Sequence, residues 1–284
     1  MYRFLIQPYD LPFMARALVE VLLLSAVGAV VGVHVLLRRL AFLTEALQHS
    51  VFPGIAIAFV LGQSLLLGAL VAAVLTVVLL VVLTRRAEVD IDASLALIVA
   101  GGLALGVVVV SERAGFTSDL AALLFGRILD VDARQIVETV VVGVVCLAAL
   151  ALLHKELVMR AFDADHAQAL GYRLPVLDLV LNLVVALVVV VAVRAVGTVL
   201  VVAFIVTPAA AARLVARSVP ATMAVAAVLA GVFGWIGLSA SYEASVHHGV
   251  RLASGASVVA AFTVGFLLVA LLAAVRARLV RHAA

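Results

Sequence analysis

The sequence predicts an all-α, polytopic transmembrane bundle of eight or nine spans, and three observations predict it. Of its 284 residues, 67% are hydrophobic and only 12% are charged, with a mean hydropathy of +1.34. That composition belongs to membrane proteins. Nine apolar runs follow one another, near 14–37, 40–62, 65–83, 94–112, 136–153, 175–193, 196–212, 220–241 and 254–275. Each has about the 17–25 residues a helix needs to cross roughly 30 Å of hydrocarbon. Strict apolar–polar alternation is missing, which argues against a β-barrel, the one other structure that satisfies its backbone in lipid. No long hydrophilic or low-complexity stretch divides the runs, so one domain over 1–284 is expected.

Taken in order, the start MYRFLIQPYDLPFMAR lacks a compact apolar stretch followed by a small-residue cleavage site. The first run then serves as the insertion signal. The second and third runs are joined only by LGQS, so they form either two spans or a re-entrant pair, and this is where the count divides between eight and nine. Small residues recur as GAVVG at 28–32, GGLALG at 101–106 and Ala209 to Ala212, the composition of closely packed helices in lipid. The lone cysteine, Cys146, lies inside the fifth run and reads as a small core hydrophobe, with no intrachain disulfide open to it.

Nineteen Lys plus Arg against 16 Asp plus Glu give a formal charge of +3, with Lys155 the single lysine. A surplus this small suits loop ends at a membrane surface, not a nucleic-acid face. Arg38/Arg39, Arg85/Arg86, Lys155/Arg160/Arg173, Arg213/Arg217 and Arg276/Arg278/Arg281 fall in alternate loops and hold twelve of the 19 cations. Positive loops stay inside, so nine spans would leave the N-terminus outside and the C-terminus in the cytoplasm.

The polar residues within these runs carry the chemistry. In FLTEALQHSVFPG, residues 42–54, Glu45 and His49 are one turn apart on one helix face. A helix beginning near Arg39 places His49 about 15 Å along it, near the midplane. A carboxylate at that depth costs about 2.5–3.5 kcal/mol and usually faces a pathway or a partner. Pro53 removes the amide that would bond the His49 carbonyl, and loosens the helix beside the histidine. Carboxylate, imidazole and freed carbonyl make an O/N donor set suited to Zn²⁺ or Mn²⁺. The alternative is an interface pair bonded to itself or to Arg38 and Arg39.

Pro208, within VGTVLVVAFIVTPAAAARL at 196–214, frees the Phe204 carbonyl in the same way and marks either a transport path or a packing kink. His34, His154, His166 and His282 read as surface or interface residues, and the His247–His248 pair as residues of an outer loop without a completed metal site. The polar segment 154–175 is expected to hold a short surface helix ending at Gly171, either as a connector or as a docking surface. There is no GxxxxGK[ST], no HExxH and no GxSxG, so nucleotide-driven and common hydrolytic chemistries lack their motifs.

Five stretches, in order, resemble the permease subunits of the ABC-3 family, the bacterial zinc, manganese and iron importers. They are LLRRLAFLTEALQHSVFPGIAIAFVLG (36–62), DIDASLAL (90–97), TSDLAALLFGRIL (117–129), FDADHAQALG (162–171) and VGTVLVVAFIVTPAAAARL (196–214). The resemblance implies a multi-pass protein of the bacterial cell membrane, with no permanently bound cofactor, paired as a homodimer or with a related permease. A separate ATP-binding subunit and an extracytoplasmic metal-binding protein would be its partners. It also implies that Glu45 and His49 line the translocation path, Glu45 standing where the family pattern carries Asp. Asp163, Ala167 and Gly171, in a coupling segment at about 160–173, would face the ATPase. The competing expectation is an intramembrane metal-dependent hydrolase built on Glu45 and His49, which would turn over without a partner.

Overall fold

The structure is a computed structural model and describes residues 5–85, 91–111, 128–247 and 252–283. Most of TSDLAALLFGRIL, together with Asp90 and His248, lies outside the described residues. Eleven α-helices and no strand occur among them. They are α1 (Pro12–Leu37), α2 (Ala41–Val60), α3 (Leu65–Arg85), α4 (Ile91–Ser111), α5 (Ala133–Leu152), α6 (His154–Phe162), α7 (Ala164–Ala169), α8 (Leu174–Val196), α9 (Thr198–Val215), α10 (Val219–His247) and α11 (Ser254–Ala283).

Eight of these are long and apolar enough to cross a membrane: α1 to α5, α8, α10 and α11. The seventh apolar run follows the sixth across a single residue, Gly197. It forms α9, whose 18 residues rise about 27 Å. The second and third runs, the expected weak point, are full-length helices joined by a tight turn at 61–64.

Local sequence explains the helix ends. Asp132 caps α5 by accepting from the Gln135 amide at 2.7 Å, while Gln135 Oε1 accepts from the Asp132 amide, a reciprocal capping box. Gly62 and Gly171 close α2 and α7 in the left-handed conformation, each with the paired backbone bonds of a Schellman stop. The end of α1 uses the same stop, Leu40 N to Val35 O at 2.8 Å and Arg39 N to Leu36 O at 3.2 Å. There the left-handed residue is Arg39, at φ 55°. A side chain in that conformation costs about 1–2 kcal/mol that glycine avoids. Gly197, at φ 82° and ψ 163°, is the only residue between α8 and α9. No L side chain adopts that backbone readily, so glycine permits the abrupt change of direction.

Packing then follows the small residues. In the best-spanning window of α1, 67% of residues are buried, against 17% in α11, so α1 is central and α11 peripheral. Gly28 and Gly32 of α1 lie under the Phe204 and Ile205 carbonyls of α9, so close that a Cβ on Gly32 would meet the Ile205 oxygen. The carbonyl freed by Pro208 therefore rests on a glycine of α1, and α9 stays helical through the proline. Gly54 of α2 and Gly68 of α3 pack backbone to backbone, and Gly102 of α4 meets Ser50 Cα of α2. Two neighbours thus grip α2 on two sides and leave one stripe of it uncovered.

Outside the spans, the short 3₁₀ turn Gln7–Asp10 ties the N-terminal segment to α10. The Tyr9 hydroxyl lies 2.8 Å from Ser239 Oγ, and Trp235 Nε1 donates to the Leu5 carbonyl at 3.1 Å. Burial pushes the Tyr9 hydroxyl above its ordinary pKa.

Candidate metal path on α2

The uncovered stripe of α2 runs Phe42, Glu45, His49, Pro53, Ile57, at spacings of three and four. Every residue between these positions is buried except Gly54, which is partly exposed where it packs on Gly68 of α3. Glu45 and His49 are therefore presented on the open side of the helix, with side chains 40% and 25% exposed. His49 Nε2 lies 3.2 Å from Glu45 Oε1. Arg38 is not their partner, since its guanidinium turns to Asp178. The helix continues through Pro53, and the His49 carbonyl lies on the side of α2 that meets Gly102.

The pair fits a metal ion as an incomplete site. Two donors 3.2 Å apart, each about 2.1 Å from an ion, subtend an angle of about 100° at it, between tetrahedral and octahedral values. No group of three or more His, Cys, Asp or Glu that could hold a metal occurs among the described residues. Among the described residues, the pair by itself supplies two of the ligands an ion needs.

Elsewhere the expected residues are placed as follows. Asp163 ends α6 and caps α7, accepting from the His166 amide at 2.8 Å, so the segment forms two short helices where one was expected. Ala167 is fully buried, whereas Gly171 is exposed. His34, expected at the surface or an interface, is buried, and its ring meets that of His154 edge-on at 5.8 Å between centroids. His247 ends α10.

Sequence reasoning missed a second set of polar residues, at the end of the bundle away from α6 and α7. Thr139 donates to the fully buried Glu20 at 2.6 Å, linking α5 to α1. Next along α5, Glu138 accepts from Arg194 of α8 and from Arg134. The signal was available: Glu20 sits inside the first apolar run, at the same cost that drew attention to Glu45.

Eight helices long and apolar enough to cross a membrane define a multi-pass membrane protein. The ABC 3 transport family model matches residues 10–273, and the chain belongs to that family. It is 31% identical over 256 residues to the manganese import system permease protein ScaB of Streptococcus parasanguinis, covering 90% of this chain and 89% of that one. To the manganese transport system membrane protein MntC of Halalkalibacterium halodurans it is 32% identical over 247 residues, covering 87% and 82%. Among solved structures it resembles PsaBC from Streptococcus pneumoniae in complex with Fab, with a TM-score of 0.83, 27% identity and 95% of each chain covered. The chain is a transport permease and not an enzyme, and the hydrolase reading has no support from the family.

Proposed function

We propose that this chain, acting over 1–284 as one permease domain, passes a divalent transition-metal ion from an extracytoplasmic binding protein to the cytoplasm. A separate ATP-binding subunit drives the cycle. Glu45 and His49 are transient ligands on the path. The observation that carries this reading is their joint exposure on the open stripe of α2, where they bond to each other. A second permease, most simply another copy, faces that stripe and completes the coordination together with water. An incomplete site suits transport, because the ion must leave as readily as it enters. Manganese is the first expectation and zinc the second, with iron third, since a carboxylate favours the harder ion and the relatives are named for manganese.

Asp163 and Gly171, with the 71%-exposed Phe162, present the coupling segment to the ATPase, and the buried Ala167 seats that segment on the bundle. The alternating cations support a cytoplasmic position for this segment, which is the side the ATPase requires. The test is ATP-driven ion uptake by the reconstituted complex, with Mn²⁺ and Zn²⁺ in competition. Uptake that is unchanged in Glu45→Gln and His49→Ala at normal protein abundance would reject these ligands.

A further inference from the structure

The segment expected to meet the ATPase and the helix that carries Glu45 and His49 are linked through one carboxylate. Asp178, in the first turns of α8, lies between two arginines. Arg160 Nη2 of α6 donates to its Oδ2 at 3.2 Å. Arg38 Nη1, at the end of α1, is 2.7 Å from its Oδ1, a charge contact without hydrogen-bond alignment. All three side chains are partly buried, Arg38 most deeply.

We propose that Asp178 is a positioning residue that transmits movement of the coupling segment to α2, a role that rests on the transport reading above. The geometry favours transmission over simple bracing for three reasons. First, α1 and α2 are separated only by Arg38, Arg39 and Leu40, so a shift of Arg38 is delivered to the start of α2, with little slack before Glu45. Second, this corner is the one place among the described residues where a non-glycine residue has positive φ, at Arg39. The corner is held in a conformation that its own sequence disfavours, and an external contact can release it. Third, the triad borders a cavity of about 320 Å³ lined also by Thr84, Asn182 and Leu174, which leaves room for the arginines to re-pair.

Each guanidinium takes a different oxygen of the same carboxylate, so displacing α6 must either drag Asp178 or break its bond. In both cases the charge facing Arg38 changes. Arg38 stands seven residues before Glu45 along the chain.

The experiment uses the complete complex with its ATPase and binding protein, and reads manganese transported per ATP hydrolysed. Asp178→Asn is expected to lower that ratio by about tenfold while ATP hydrolysis stays within about twofold, and Asp178→Glu is expected to restore it. A purely structural brace would lower abundance, hydrolysis and uptake together, with the ratio kept, and that result overturns the proposal. If the Asn variant fails to accumulate, Arg160→Gln carries the same expectation from the surface segment, and an unchanged ratio there is equally fatal. Absence of manganese and zinc uptake in the unaltered complex would instead overturn the transport reading, so the two failures are distinguishable.

Discussion

Glu45 with His49, and Glu138 with Arg194, are both polar pairs in apolar helices, yet the bundle treats them in opposite ways. The second pair joins two helices, is reinforced by Arg134, and adjoins a buried Glu20–Thr139 bond, so its charge is spent inside the chain. The first pair lies on a single helix, bonds within itself at 3.2 Å, and is turned outward. In lipid both arrangements avoid a lone charge. Only the outward pair keeps donors that an arriving ion or a second chain can use.

Four measurements would break or sharpen this contrast, and the largest effect is expected in transport. Glu45→Gln or His49→Ala should lower metal uptake by about tenfold or more, with the thermal midpoint of the solubilised complex little changed. Next in size, Arg194→Met leaves Glu138 without its cross-helix cation and should destabilise the bundle by about 3–5 kcal/mol, read as loss of folded protein on heating in detergent. Stability kept together with uptake lost in that variant would mean the two pairs had been assigned the wrong roles. Thr139→Val removes the donor to Glu20 and should cost about 1–3 kcal/mol in the same assay. Smallest of all, Arg39→Gly should stabilise the α1 stop by about 1 kcal/mol. If transmission through the corner needs its tension, that variant also transports less per ATP.

Much of the spanning architecture was legible because each helix must cover a fixed hydrocarbon thickness, and run length reports that directly. The seventh run was legible as a helix, though apolarity does not report its direction. Gly197 sets that direction between α8 and α9, and its backbone angles follow from contacts that the sequence does not display. Glu45 and His49 were legible through their spacing alone, being neighbours on one helix. Asp178 was not, since Arg38 and Arg160 reach it from 140 and 18 residues away along the chain. Glu20 could have been flagged by the same insertion cost, but its partner Thr139 lies 119 residues distant and is unremarkable in sequence.

The short helix α9 bears on how the chain is made. During synthesis α1 is already in place when α9 emerges, whereas α10 and α11, which enclose it on other sides, do not yet exist. Ala209 rests on Gly32 of α1, whereas Ala226 of α10 closes the same cluster, so that side of α9 is covered only once α10 is present. Its seating therefore belongs to a late stage of biogenesis, completed by the last two helices to leave the ribosome. A chain truncated after Arg217 would strand it half-wrapped, a natural substrate for membrane quality control.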